Sequence, residues 1–344
     1  MIKIRRTVCG ALLVAGLLFA SAGEARDKAR EKEDVPGSES AVVLELGPAS
    51  RHERTLQFPK NYSLGQIVIK PYPPGANKSE LGFAARGTVK VPANHLVKFV
   101  PSKHFYANPE IVKTIAPDGI DVMELTASAM FDGEEGLCDR ALSHVGHLKG
   151  VVELNLDRSD ATDAGLAHAA ELPNLQKIST FVANIQGDSF KQVANCKKLR
   201  VLRLSRTWLK DDNLRYFSQL PLLQFIILTR SNLSDLGVKH LSDCKSLVSI
   251  SMADNSKVTD KCIPYLLKLK NLRYLSLAET SITGQGLVQL APLPLRTLQL
   301  PLPEAGIANM HEVRKVLNKV SLRPAPGKNK KLDGDFGTIL SPLH

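Results

Sequence analysis

A 24-residue period constrains this chain more than any other feature. The pattern L-x-x-L-x-L starts at Val151 (with Leu154, Leu156) and returns at Leu175 (Ile178), Leu199 (Leu202, Leu204) and Leu223 (Ile226, Leu228). It returns again at Leu247 (Ile250, Met252), Leu272 (Leu275, Leu277) and Leu295 (Leu298, Leu300), the steps being 24, 24, 24, 24, 25 and 23. An earlier copy starts at Ile120 (Met123, Leu125), 31 residues ahead. The second half of each unit repeats as T-x-I-T-D-x-G-L, seen at Ser159 to Leu166, Ser231 to Val238 and Thr280 to Leu287; the copy from Thr207 to Leu214 departs at the Gly.

The unit has a direct physical reading. L-x-x-L-x-L puts apolar side chains on one face of a short strand. Thr or Ser followed by Asp is a helix N-cap signal, and the next Leu opens an apolar stripe. No unit can bury its own Leu face, whereas stacked units bury a continuous core and touch mainly their neighbours. The expected fold class is therefore α/β, a solenoid with one parallel sheet.

Residues 120–300 resemble the leucine-rich repeats of bacterial secreted proteins, close to the cysteine-containing and ribonuclease-inhibitor-like classes. Ala85 to Pro92 (ARGTVKVP) is similar to the start of an N-terminal cap in such proteins. The resemblance implies a horseshoe whose parallel strands line a concave surface, and protein binding on that surface.

The ends differ from the middle. Lys3, Arg5 and Arg6 precede an apolar run over 7–22 ending in Ala20-Ser21-Ala22, which reads as a secretory signal peptide (1–22) cleaved after Ala22. Residues 23–40 are charged and small, a disordered linker. Over 41–117 the runs Val42–Leu44, Gly65–Ile69, Thr88–Val91 and His95–Val100 read as short strands, and Pro109–Ile115 as a short helix. The expectation is a β-rich cap module over the open edge of the first repeat, the alternative being a separate ligand-binding domain. Residues 118–322 are then the solenoid, closed by a cap helix carrying Met310, Val313, Leu317 and Val320 at helical spacing. The Pro-, Gly- and Lys-rich residues 323–344 read as a mobile tail.

Charge separates along the repeats. The formal net charge of +11 divides into an acidic block, 118–171 with 3 basic and 12 acidic residues, and a basic block, 191–273 with 16 basic and 6 acidic. Such a dipole can orient a charged protein partner. It lacks the continuous basic stripe of a nucleic-acid binder. Several lysines of the basic block, among them Lys197, Lys198 and Lys245, fall on the outer helical side.

Catalytic signatures are missing: there is no G-x-S-x-G, H-E-x-x-H, Walker loop or G-x-G-x-x-G. Cys138, His144 and His147 form a weak metal-ligand pattern without a second paired set, so neither metal nor cofactor is expected. Cys138, Cys196, Cys244 and Cys262 remain after cleavage. Cys196 and Cys244 share one repeat position two units apart, roughly 10 Å and beyond disulfide reach. All four are expected as buried free thiols.

By register, the expected concave face carries Asn155, Asp157, Lys177, Phe181, Arg203, Phe225 and Tyr274, with aromatics and Arg as the interface anchors. Trp208, the only Trp, sits at a variable position and is a second candidate anchor. The reading is an exported, non-enzymatic protein that binds a protein or cell-envelope polymer on its concave face, with no nucleic acid partner and no membrane span after cleavage. The alternatives are a self-assembling envelope component, or an enzyme with its site in 41–117. The sequence leaves the oligomeric state open.

Overall fold

A three-residue strand cannot stand alone, and in this chain each is one rung of a long ladder. The computed structural model describes Ser50 and residues 52–72, 80–126 and 135–325. The signal segment, the linker, the Val42–Leu44 candidate and residues 326–344 of the tail lie outside that range.

The strands, in chain order, begin with β1 (Arg54–Gln57), β2 (Gly65–Pro71), β3 (Leu81–Ala84), β4 (Thr88–Val91) and β5 (His95–Pro101). The repeats then supply β6 (Val122–Glu124), β7 (Glu153–Asn155), β8 (Lys177–Ser179), β9 (Val201–Arg203) and β10 (Phe225–Ile227). They end with β11 (Ser249–Ser251), β12 (Tyr274–Ser276), β13 (Thr297–Gln299) and β14 (Ser321–Arg323). A 12-stranded sheet runs β14 to β5 in reverse sequence order and continues through β2 to β3. From β5 to β14 every pair is parallel. One parallel strand per repeat, in strict sequence order, is the leucine-rich-repeat solenoid.

The register explains the core. The central residues Met123, Leu154, Ile178, Leu202, Ile226, Ile250, Leu275, Leu298 and Leu322 are paired in line. With their companions at the next inward position, such as Leu156, Leu204 and Leu277, all but Leu322 belong to one apolar cluster extending from Leu56 to Leu317, and the partly buried Leu322 packs against it. Each buried Leu contributes roughly 2 kcal/mol, and none of it is available to a lone unit.

The T-D-x-G motif is a device between repeats. Thr162, Ser234, Thr259 and Thr283 accept the N–H groups of Ala164, Leu236, Lys261 and Gly286, capping their short helices. The Asp acts one repeat further on: Asp235 takes the Thr259 N–H (2.8 Å) and hydroxyl (2.7 Å), and Asp260 does the same for Thr283. The Gly is the space that carboxylate occupies. A Cβ at Gly165 would lie 2.1 Å from Asp139 Oδ1, and at Gly286 2.2 Å from Asp260 Oδ1.

The 41–117 region is joined to the solenoid through the sheet. β5 pairs antiparallel with β2 and parallel with β6, so β2, β3 and β5 of the β-rich module share one sheet with the first repeat, and the module shares its core. β1, which the sequence did not suggest, pairs antiparallel with β4. A buried ion pair fastens the junction: Arg54 Nη2 lies 2.7 Å from Asp121 Oδ2, and Asp121 also accepts the Ser50 hydroxyl (2.5 Å) and the Val97 N–H (2.7 Å). Pro109–Thr114 is a 3-10 helix.

At the other end the helix Met310–Val316 is not the last element. β14 follows and adds to β13, so Arg323, the first residue of the expected tail, lies in a strand. Ala325 then packs with Ala253 and Ala278 in a small cluster apart from the main core. Among the described residues no helix is long and apolar enough to cross a membrane.

Candidate functional site

The strand positions that alternate with the core residues form the open face of the sheet, and the structure divides it in two. On β7 to β9 the face is charged. Asn155 Oδ1 accepts the Asp157 N–H at 2.8 Å. Asp157 Oδ1 accepts the Ser179 hydroxyl at 2.6 Å and the Phe181 N–H at 2.7 Å. That carboxylate thus fixes the turn after β8 and sets the direction of Phe181. The Phe181 ring sits half-buried among three guanidinium groups, with Arg203 and Arg206 5.4 Å and Arg158 5.8 Å from its centroid. Arg203 also lies 3.8 Å from Asp157 Oδ2, and Lys177 lies 3.3 Å from Glu153. Asn155, Asp157, Lys177, Phe181 and Arg203 are therefore one patch.

On β10 to β12 the face is flush and apolar or small. Phe225 and Tyr274, expected as anchors, are only 7% and 8% exposed. Their lateral neighbours Val201 and Ser249, and Ile227 and Ser276 two residues along the same strands, are buried too, so these rings shield the sheet rather than project from it. The physical reason is lateral: each ring is flanked by strands whose neighbours are only about 4.8 Å away. Trp208, in contrast, is 74% exposed.

The strands are three residues long, but the ladder continues past them. Arg158, Val182, Arg206, Arg230, Asp254 and Glu279 occupy one register position, one per repeat, and all have φ between 51° and 59°. Their N–H groups donate across to Phe181, Ser205, Thr229, Ala253, Ala278 and Pro301 carbonyls. This left-handed turn ends each of the strands β7 to β12. Asn, Asp and Gly adopt it readily, while Val and Arg do so at a cost of about 1 kcal/mol or more. Sequence reasoning missed this row, and its signal is visible only once the register is known.

Beside the row, Arg206, Trp208, Arg230, Asp254 and Lys257 line an open cleft of about 350 Å³. Arg230 Nε donates to Asp254 Oδ2 at 2.5 Å, and Lys257 Nζ to Asn232 Oδ1 at 2.9 Å. Much of the remaining basic block is used elsewhere. Lys197 donates to the carbonyls of Ala194 and Gln219, and Lys245 to that of Ser242, satisfying helix C-terminal oxygens.

The weak metal-ligand set does not assemble as one: a His147 ring nitrogen is 2.8 Å from the Ile115 carbonyl oxygen, and Cys138 is buried. No group of three His, Cys, Asp or Glu placed to hold a metal occurs among the described residues. All four cysteines there are buried, and none is in a disulfide. Burial pushes the Cys196 and Cys244 thiols up to about 12. Cys262 is raised by burial and then by Asp235 and Asp260. None of these three is a candidate nucleophile at neutral pH.

Comparison with solved structures gives leucine-rich-repeat chains. An internalin (inlF) from Listeria monocytogenes str. 4b F2365 is 20% identical with a TM-score of 0.38, over 52% of this chain and 54% of that one. Internalin C2 (inlC2) from the same organism is 17% identical with a TM-score of 0.44, over 61% and 81%. The plant peptide hormone receptor RGFR1, in complex with RGF2, is 18% identical with a TM-score of 0.35, over 52% and 33%. The chain thus spans about half the length of the inlF structure. No family model and no curated protein matches the chain. The fold assignment rests on the strand register and the hydrogen-bond ladder, independently of these likenesses.

Proposed function

We propose that this is an exported, non-enzymatic leucine-rich-repeat protein that recognises another protein, or an envelope polymer, through the open face of its sheet. The observation that carries the reading is the Phe181 patch: an aromatic residue whose backbone N–H is held by Asp157 and whose ring is surrounded by Arg158, Arg203 and Arg206. Aromatic and Arg side chains on a fixed backbone are the groups that anchor protein interfaces. Export rests on the N-terminal Lys/Arg, the apolar run and the small-residue site.

The test is affinity capture from the producing cell's envelope and medium, using the chain from residue 23. Phe181→Ala with Arg203→Ala should abolish capture of the specific partner while leaving the circular dichroism spectrum and melting curve intact. Phe225→Ala should weaken capture far less, since that ring offers little surface. Undiminished capture by the Phe181/Arg203 variant would sink the site assignment.

A further inference from the structure

We propose that the cleft at the strand-end turns of β9 to β11 is a receptor for an acidic, extended segment of a partner polypeptide. The inference deepens the protein-binding reading and rests on it.

Three observations converge. The cleft has a cationic balance, with Arg206, Arg230 and Lys257 against the single carboxylate of Asp254. Those cations are held in position: Arg206 stacks over Phe181, Asp254 holds Arg230, and Asn232 holds Lys257. Guanidinium groups so fixed match carboxylates in a two-pronged geometry. Trp208 stands at the same cleft with its indole exposed, an apolar surface for a side chain adjoining the acidic groups. Arg206 and Arg230 also occupy left-handed turn positions that Asn or Gly would fill without strain. The backbone therefore gives no reason for Arg at either position.

The size of the track decides between polyanions. The turn row is Val182 before Arg206 and becomes Asp254 and Glu279 after Arg230. At about 4.8 Å per strand the cationic stretch is only about 10–15 Å long. That length takes three or four extended residues at roughly 3.3 Å each. A nucleic-acid strand needs a longer row of phosphate contacts, and here it would run onto Asp254 and Glu279.

Because Trp208 is the only Trp in the chain, its emission reports the cleft alone. The experiment titrates the full chain with acetyl-hexaglutamate amide, with hexalysine and hexathymidylate as comparison probes at the same ionic strength. Hexaglutamate should give a saturable change in emission, hexalysine none, and hexathymidylate weaker binding. Arg206→Gln with Arg230→Gln should weaken hexaglutamate by at least about tenfold, the loss of one or more charge-assisted pairs. The charge-reversed R206E/R230E chain, checked for an unchanged circular dichroism spectrum, should bind hexalysine instead. The proposal is overturned by the absence of a saturable change, by hexathymidylate binding as tightly as hexaglutamate, or by undiminished binding in the Gln variant. Arg203→Ala changes the Phe181 patch and leaves every cleft residue in place, and Arg230→Gln changes the cleft without touching that patch, so capture by the first and titration of the second let the two readings fail separately.

Discussion

Val182 shows how a repeat backbone and a side chain can disagree. The turn after β8 requires a left-handed residue, and a β-branched side chain is among the worst choices for it. Its side chain is 44% exposed, so little burial offsets the strain. Val182→Asn should therefore raise the unfolding free energy by about 1 kcal/mol, read as a shift of the denaturant midpoint at constant slope. A lowered midpoint would mean that Val182 makes packing contacts worth more than its strain. The same scale explains the Gly of the repeated motif. Gly165 and Gly286 are small because the previous repeat's carboxylate fills the place of a side chain.

At the scale of elements, the junction between the β-rich module and the first repeat depends on one buried carboxylate. Asp121 meets Arg54, Ser50 and the Val97 N–H, while its own carbonyl accepts the N–H groups of Val152 and Glu153. Arg54 in turn reaches the Asp118 and His95 carbonyls. Asp121→Ala leaves a buried guanidinium without its counter-charge and should cost about 3–5 kcal/mol. Urea unfolding followed by far-ultraviolet circular dichroism checks this, and a loss below about 1 kcal/mol would show that water replaces the carboxylate there. The module covers the sheet edge that β6 would otherwise present for pairing with other chains.

At the scale of the molecule, the thiols link stability to pH. Cys196 and Cys244 lie in repeats two units apart, and burial holds both thiols neutral up to about 12. In the unfolded chain a thiol titrates near 8.5. Between about pH 8.5 and 12 the folded state therefore binds more protons than the unfolded one, and the unfolding free energy falls as pH rises. Below about pH 8.5 this contribution is fully present. The slope is about 1.4 kcal/mol per pH unit for each such thiol. A Cys196→Ala, Cys244→Ala chain should show a shallower decline in denaturant midpoint across that window than the native chain. Parallel declines would place the pH dependence on other groups.

What the sequence determined by itself was the repeat: its period, the inward Leu positions, the parallel stack, the capping Thr or Ser and the cysteines left out of disulfides. Those are set by spacings within one unit, where side-chain direction follows directly from chain position. The site was legible only in part. Lys177, Asn155, Asp157, Phe181 and Arg203 form a patch, and Trp208 is exposed, but Phe225 and Tyr274 are flush with the sheet. Their exposure depends on residues one repeat away on either side, which a single unit does not contain. The row of left-handed turns, the Asp carboxylates that seat the next repeat, the β14 strand and the cleft beside Trp208 likewise arise only when units are brought within about 5 Å of one another. The repeat dictates which side chains turn inward; the stacking decides which outward ones a partner can reach.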